Sequence, residues 1–271
     1  MGPDRITDEI RGGSVESPHG AAVGAEDFGL KGPRGWVFRH VGFSAPPGSL
    51  VAVEGPSGSG RTCLLLALTG RMRATEGSAE TGGLELPRKA AAVRRIAALG
   101  PVPGVSELDP AFTVAEHLRE RALLQGRYGA SLRTLLRPRA ERRATARARI
   151  DTALEAAGLD PATLPKAERT SVRDLERLEA LRLSVALALI GTPRLLALDD
   201  ADLKLSPAER ADAWALLRSV ADSGTTVLAV CSEAPEDVQV VRTTPATAEE
   251  APTAPTDEEE SADAIAETGR A

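Results

Sequence analysis

A glycine-rich loop between an apolar strand and an apolar helix constrains the fold of this chain more than any other feature. Residues 50–54 read Leu-Val-Ala-Val-Glu, a short apolar run typical of a strand buried on both faces. Residues 62–71 are good helix formers and include four leucines. Because strands buried on both faces belong in parallel sheets covered by helices, this segment predicts an α/β fold.

The rest of the chain repeats the alternation of apolar strands and helices, as expected for a mostly parallel sheet. A long segment, residues 114–157, is predicted to be helical with breaks near Gly126, Gly129 and Pro138. The other predicted elements are strand-like patches at 36–38 and 41–43, a helix over 175–190, a strand over 194–198 that ends in Asp199-Asp200, a helix over 207–221 with Ser206 as N-cap, and a strand over 225–231.

The loop matches the phosphate-binding pattern G-x-x-x-x-G-K-[ST] in every fixed position except the lysine. Glycines let successive main-chain N–H groups converge on phosphate oxygens, and the following helix adds the positive end of its dipole. Thr62 can offer a hydroxyl to Mg²⁺, whereas Arg61 keeps the charge of lysine on a longer, planar head group. A glycine-rich turn without a ligand is the alternative. The predicted nucleotide-binding residues are Gly55, Pro56, Ser57, Gly58, Ser59, Gly60, Arg61 and Thr62.

The net negative charge of the chain comes from its C-terminal segment. The net charge is −6, but residues 243–271 hold eight acids and one arginine, so that segment accounts for −7 and residues 1–242 for +1. Segments this polar cannot bury a core. Residues 1–23 and 243–271 are therefore expected to be disordered, and deletion after Arg242 is expected to leave the melting temperature nearly unchanged.

Composition also narrows the cellular setting. The two cysteines, Cys63 and Cys231, have no metal-ligand spacing, and such sparse thiols fit a reducing cytoplasm. No apolar run approaches the ~18 residues of a membrane span. A cytoplasmic chain that contacts a membrane only through a partner is therefore expected.

A basic segment lies in the middle of the chain. Ten arginines occur from Arg119 to Arg149 against two glutamates, a local net charge of +8. A solvated helical face is the simplest interpretation, and a docking surface for an acidic partner or anionic lipid headgroups is the alternative. Nucleic acid is not expected as a partner, because aromatics make up only 3% of the chain and no binding motif accompanies the charge.

Several further stretches resemble the ATP-binding cassette (ABC) ATPases, from about Phe28 to Val230. The spacing agrees with that family, since Gly55 and Asp199 are 144 positions apart with a large helical insertion between them. The resembling stretches are residues 45–53 before the loop, 108–118 at the entry into the helical insertion, 172–175 before the signature motif, 191–200 at the Walker B strand, and 224–228 before the switch histidine.

The resemblance implies a P-loop NTPase fold of the ABC type, in which an α/β domain with a mostly parallel sheet carries a small antiparallel β subdomain and an inserted helical subdomain. The domain would cover residues 24–242, with the helical subdomain at about 109–190. The resemblance implies ATP and Mg²⁺ as ligands, with Thr62 and Asp199 at the metal and Asp200 as the catalytic carboxylate. It also implies a separate integral membrane subunit (permease) as partner, the option of a homodimer, and peripheral attachment at the cytoplasmic face of the membrane.

The chain departs from the family's pattern at five functional positions, although Thr62 and Asp199 match it. The replacements are Arg61 for the loop lysine, Gly104 for the Q-loop glutamine, residues 175–179 (Leu-Glu-Arg-Leu-Glu) for the signature L-S-G-G-Q, Asp200 for the catalytic glutamate, and Ser232 for the switch histidine. Arg177 and Leu178 stand where glycines approach a phosphate, and Asp200 is one methylene shorter than glutamate. A general base displaced by about 1 Å can lose on the order of 10²-fold in rate.

Three functions remain open from the sequence. The first is an ATP-binding transporter subunit with weak hydrolysis. The second is a pseudo-ATPase, an ABC fold used as a binding or regulatory module without turnover. The third is a small-molecule kinase, which is disfavoured because no acceptor-binding constellation is present. The family's adenine-stacking aromatic aligns near Lys31 and Gly32, so Trp36 is expected to pack in the core or to cap a strand.

Overall fold

The computed structural model describes residues 19–128 and 138–244. They form two β-sheets with helices packed around them. The strands are β1 (Val23–Gly32), β2 (Gly35–Ala45), β3 (Leu50–Glu54), β4 (Glu76–Thr81), β5 (Leu84–Leu86), β6 (Ala97–Leu99), β7 (Leu195–Leu198), β8 (Thr226–Cys231) and β9 (Gln239–Arg242). The helices are α1 (Arg61–Leu68), α2 (Ala90–Ile96), α3 (Val114–Tyr128), α4 (Arg139–Ala156), α5 (Arg177–Leu189) and α6 (Pro207–Asp222).

A five-stranded parallel sheet with the order β6-β7-β8-β3-β9 forms the centre of the fold. The residues at 51–53 of β3 and 227–230 of β8 are 0% exposed, because the sheet is covered on both faces. This double cover explains why the strands read as near-continuous apolar runs rather than as alternating ones. The predicted parallel α/β sheet is confirmed.

A four-stranded antiparallel sheet with the order β2-β1-β4-β5 packs beside the parallel one. The strand-like patches at 36–38 and 41–43 both belong to β2, which pairs with β1 over most of its length. The predicted small antiparallel subdomain is therefore confirmed as well.

Two apolar clusters fill the two sides of the parallel sheet. One side packs against α1 and the antiparallel sheet, and its cluster includes Leu64, Leu65 and Phe28. The other side packs against α3, α4, α5 and α6, and its cluster includes Leu183 and Leu217. No helix within 19–128 or 138–244 has the length and hydropathy needed to cross a bilayer.

The ends of the predicted segments differ from the structure in specific ways. α1 ends at Leu68, three residues before its predicted end at 71, and Gly70 then takes the left-handed conformation (φ 71°) that commonly follows a helix. The predicted break near Gly126 is absent, since α3 continues through it to Tyr128, while the break at Pro138 is confirmed as the N-cap of α4. Gly129 lies outside the described residues.

At both ends, residues that were predicted to be disordered belong to the folded domain. Ala21 is 0% exposed, and its main-chain N–H donates to the Arg194 carbonyl (2.9 Å), so residues 19–23 belong to the folded domain. At the other end Thr243 is only 3% exposed. The remainder of the predicted disorder, residues 1–18 and 245–271, lies outside the described residues.

Candidate nucleotide-binding site

The glycine-rich loop lies between β3 and α1, and its glycines are required for different reasons. Gly58 and Gly60 both have positive φ angles, 80° and 82°, which favour glycine. A Cβ on Gly58 would meet nothing, whereas a Cβ on Gly60 would come closer than 3.0 Å to the Val37 carbonyl oxygen. The loop therefore packs directly against β2 at Gly60 and is open at Gly58.

A buried pair of hydroxyls joins the loop to the residue that follows β9. The side chain of Ser59 is 0% exposed, and its Oγ lies 2.7 Å from Oγ1 of Thr243. The Thr243 main-chain N–H donates to the Glu54 carbonyl at 2.9 Å. Gly55 has no room for a side chain, since its Cβ would be 2.5 Å from Thr243 Oγ1. Sequence reasoning missed Thr243 because it was assigned to the acidic segment, although the apolar residues at 238, 240 and 241 indicate a strand just before it.

Arg61, which replaces the loop lysine, makes a hydrogen bond to the main chain of the parallel sheet. Its Nη1 donates to the main-chain carbonyl of Cys231 at 2.6 Å, at the end of β8. The guanidinium therefore stays beside the loop but is directed at the protein's own main chain. The pKa of the neighbouring Cys231 thiol is raised to about 12, chiefly by burial and then by the negative charges of Asp202 and Glu54, while the charge of Arg61 lowers it. This thiol is therefore protonated at neutral pH.

The two residues predicted at the metal are brought together. The Thr62 hydroxyl donates to Oδ2 of Asp199, and Oδ1 of Asp199 accepts from the main-chain N–H of Asp200 (2.9 Å). Asp199 is only 3% exposed. Hydroxyl and carboxylate oxygens at the start of α1 are the ligand types that Mg²⁺ takes, with phosphate oxygens and water completing its shell.

Asp200, the predicted catalytic carboxylate, stands at the end of β7 beside two arginines. Its backbone has a positive φ of 51°, an uncommon conformation for a residue with a side chain. Burial raises the pKa of its carboxyl group and the negative charge of Asp199 adds to this, while Arg61 and Arg177 oppose the rise. Asp200 is thus placed next to Asp199 and its partner Thr62.

Asp202 holds the loop after β8 in one position. Its carboxylate is 4% exposed and accepts hydrogen bonds from the main-chain N–H groups of Ser232 (3.0 and 3.1 Å) and Glu233 (3.2 Å). Ser232 is the residue that replaces the switch histidine. Sequence reasoning missed Asp202, because nothing in the chain between residues 202 and 232 indicates that the two meet.

The residues that replace the signature motif make contacts within their own chain. Glu176 is the N-cap of α5, and its main-chain N–H donates to Oε2 of Glu179 at 2.9 Å, as in a capping box. Arg177 Nε donates to the Leu203 carbonyl at 3.3 Å. The N-terminus of α5 is therefore surrounded by its own carboxylates. At the Q-loop position, Gly104 has a φ of 71° and donates to Glu107 Oε1 at 3.1 Å.

Trp36 is the second residue of β2, so of its two predicted roles, packing in the core or capping a strand, only the first is wrong. It is partly exposed and lines, together with the turn between β1 and β2, a cleft of about 300 Å³. The Nζ atom of Lys31 lies 5.4 Å from the centre of the indole ring, within the range of a cation–π contact. Because Val37 also lines this cleft and contacts the glycine-rich loop at Gly60, the cleft borders the loop through Val37.

Comparison with known proteins agrees with this architecture. Relatives among characterised proteins include the Nod factor export ATP-binding protein I of Paraburkholderia xenovorans, 34% identical over 71% of this chain and 56% of that protein. The protein of the same name from Cupriavidus pinatubonensis is 32% identical over 79% of this chain and 55% of its own length. The chain thus spans just over half the length of these relatives.

Solved structures show the same fold. A dimeric bacterial ABC transporter cassette superposes with a TM-score of 0.63 at 18% identity, covering 82% of this chain and 94% of that one. A bacterial Atm1-family ABC exporter with ATP bound gives 0.58 at 25% identity, covering 80% of this chain and 35% of that one. The sequence profile of the family described as ABC transporter matches residues 38–202, more than half of the chain. The chain belongs to the ABC transporter family and corresponds to its ATP-binding cassette.

Proposed function

We propose that this chain is the ATP-binding subunit of a transporter, that it binds Mg-ATP through the arginine-containing loop, and that it hydrolyses ATP weakly. The contact between Thr62 and Asp199 at the start of α1 carries the proposal. It sets a hydroxyl and a carboxylate for Mg²⁺ beside a loop whose main-chain N–H groups and helix terminus favour phosphate. The residues present therefore fit both ligands.

Arg61 would take part by exchanging one acceptor for another. In the free protein its Nη1 bonds to the Cys231 carbonyl, and a phosphate oxygen is a stronger, charged acceptor. Breaking the first bond lowers the net gain from the second. We therefore expect Arg61→Lys, which lacks the planar fork, to bind Mg-ATP more tightly than the natural chain, and Arg61→Ala to bind it at least tenfold more weakly (~1.4 kcal/mol or more).

The aromatic cleft beside the loop is proposed to hold the base. The indole of Trp36 offers a flat surface in a cleft whose lining includes Val37, the residue that contacts Gly60, and stacking of a base on an aromatic ring contributes about 1–3 kcal/mol. Trp36→Ala should weaken ATP binding, while the affinity for inorganic triphosphate should stay the same. Equal losses for both ligands would show that the base lies elsewhere.

Three features favour weak hydrolysis. Asp200 is shorter than the family's glutamate, the α5 N-terminus is surrounded by Glu176 and Glu179, and Asp202 fixes the loop that carries Ser232. A general base set back by about 1 Å loses on the order of 10²-fold in rate. The same features favour the alternative function, a pseudo-ATPase that binds nucleotide without turnover.

Calorimetric titration of the full chain with Mg-ATP tests the binding proposal. Asp199→Asn should weaken binding in the presence of Mg²⁺ and have little effect in its absence. Matched controls are Asp222→Asn and Arg139→Ala, which remove an exposed charge far from the loop. A natural chain that binds no ATP up to millimolar concentration would refute the proposal.

Phosphate release measured on the same proteins separates the two functions. Turnover above background that disappears in Asp199→Asn and rises in Asp200→Glu supports weak hydrolysis. Nucleotide binding without turnover in either the natural chain or Asp200→Glu supports the pseudo-ATPase.

The proposal includes a separate integral membrane subunit and a homodimer, and through the former a place at the cytoplasmic face of the membrane. It is supported by the relatives' names, which describe export ATP-binding proteins, and by the dimeric cassette among the solved structures. Co-purification from solubilised membranes tests the membrane subunit. Light scattering with and without Mg-ATP, using Asp199→Asn as the control, tests the dimer.

A further inference from the structure

A cleft lined by four arginines lies between the end of α1 and the start of α2. Its volume is about 380 Å³, and we call it the arginine cleft, after Arg71, Arg73, Arg88 and Arg94. Main-chain carbonyls hold two of these side chains in place. Arg71 donates to the carbonyls of Thr69 (3.1 Å) and Ala97 (3.2 Å), and Arg94 donates to that of Gly70 (2.7 Å). These two guanidinium groups are thus positioned by the backbone rather than by counter-charges.

The arginine cleft carries little compensating negative charge. Among the residues that the structure describes, the only carboxylate within 4.0 Å of its guanidinium groups is that of Glu85, 3.6 Å from Arg88 in an exposed pair. Burial, followed by the charges of Arg94 and Arg121, lowers the pKa of Arg71 to about 10. Clustered like charges at a concave surface raise the local potential and attract an anionic group.

We propose that the arginine cleft binds the acidic segment of the same chain, residues 249–267. This segment holds eight acids, four of them consecutive at 257–260, whereas the preceding 242 residues carry a net charge of only +1. The two charge concentrations have opposite signs, and among the described residues the arginines at 71, 73 and 94 of the cleft have no carboxylate within 4.0 Å.

The geometry brings the acidic segment within reach. Thr243 is fixed against the loop at the N-terminal end of α1, and the arginine cleft lies at the other end of that helix. The eight residues of α1 span about 12 Å. The fourteen residues from Thr244 to Asp257 can span up to about 45 Å when extended. A segment tethered so close has an effective concentration on the order of millimolar, so weak ion pairs suffice.

The basic surface of α4 is the competing site for the same segment. There Arg147 is already paired with Asp151 (2.9 Å) and Glu168 (3.0 Å), and the arginines at 139, 142, 143 and 149 are exposed on a convex helix. A convex, partly neutralised surface attracts an acidic segment less than a concave one does. The coupling experiment below distinguishes binding at the cleft from binding at α4.

Zero-length carbodiimide coupling of the full chain tests the proposal, because the chain has only four lysines, all exposed at separate places. Lys89 is the residue before Ala90 at the arginine cleft, while Lys31, Lys166 and Lys204 lie elsewhere. In the monomer at low salt, mass spectrometry should find amides between Lys89 and residues 257–260. Their yield should fall at high salt, which screens exposed charges.

Charge reversal supplies the matched control. Arg73→Glu with Arg88→Glu should lower the Lys89 coupling at least about tenfold, since like charges then face each other. Arg142→Glu with Arg143→Glu makes the same change in net charge on α4 and should leave the coupling unchanged. The proposal is overturned if Lys89 does not couple in the natural chain, if the α4 variant rather than the cleft variant abolishes coupling, or if the amides occur only between two copies.

Discussion

Replacement of Thr243 by valine tests whether this residue, which follows β9, stabilises the glycine-rich loop through its bond to Ser59. Valine has nearly the same shape but no hydroxyl, so the change removes the 2.7 Å bond to Ser59 Oγ together with the long 3.4 Å contact with the Glu54 carbonyl. Because Ser59 is 0% exposed, its hydroxyl is then left without this partner in a buried place. An unsatisfied buried polar group costs about 1–3 kcal/mol.

Thermal and urea unfolding of the full chain measure this cost. For a domain of this size, ~2 kcal/mol corresponds to a fall in the melting temperature of about 4–8 °C. Ser59→Ala and the double variant complete a cycle, in which the two changes should be non-additive by about 1 kcal/mol because they remove the same bond. Additive effects, or a Thr243→Val change below about 0.5 kcal/mol, would contradict the contact.

Two truncations extend the same reasoning. Deletion after Arg242 removes Thr243 and should destabilise the domain, contrary to the expectation from composition that this deletion has little effect. Deletion after Thr244 leaves the bond to Ser59 in place and should change the melting temperature much less. Equal melting temperatures for the two truncated chains would show that Thr243 contributes nothing.

Three other substitutions probe the loop and its surroundings. Gly60→Ala should be far more destabilising than Gly58→Ala, because both have positive φ but only at residue 60 does a Cβ meet the Val37 carbonyl; unfolding curves of the two variants compare them directly. Asp202→Ala should expose the Ser232 and Glu233 amides to exchange and increase their hydrogen-exchange rates, with Asp212→Ala on the exposed face of α6 as control. Asp200→Asn should stabilise the domain at pH 7 but not below about pH 3.8. Folding raises the pKa of the Asp200 carboxyl, so its negative charge destabilises the folded domain once the pH is above the carboxyl's ordinary pKa. Melting temperatures measured over a series of pH values test the sign of this effect.

The parts of the fold with local signals could be predicted from the sequence. β3, the loop and α1 are consecutive, and their apolar runs and glycines depend only on neighbours in the chain. β7 and β8 were predicted for the same reason, since strands buried on both faces are apolar throughout. The capping box at Ser206 and Glu209 is confirmed, with the Glu209 N–H 3.3 Å from Ser206 Oγ, because both partners lie within one turn.

The contacts that complete the site depend on distant residues and were not predictable. Thr243 meets Ser59 across 184 positions, and Arg61 meets the Cys231 carbonyl across 170. A carbonyl acceptor leaves no trace in the sequence at all. β9 has four residues with mixed exposure at the edge of the sheet, so its pattern is weak and the chain around it was assigned to the polar segment.

The altered motif residues become intelligible when their contacts are considered together. Arg61 bonds to the main chain at the end of β8, Arg177 bonds to the Leu203 carbonyl, and Glu179 bonds to the Glu176 amide at the start of α5. In each case a residue that differs from the family's pattern has an acceptor or donor inside its own chain. A ligand or second subunit must therefore compete with an existing hydrogen bond, and each such bond contributes about 0.5–1.5 kcal/mol, or more where a charge takes part. Since these costs oppose closure around ATP but leave the Thr62–Asp199 pair intact, we expect the replacements to reduce turnover more than they reduce binding.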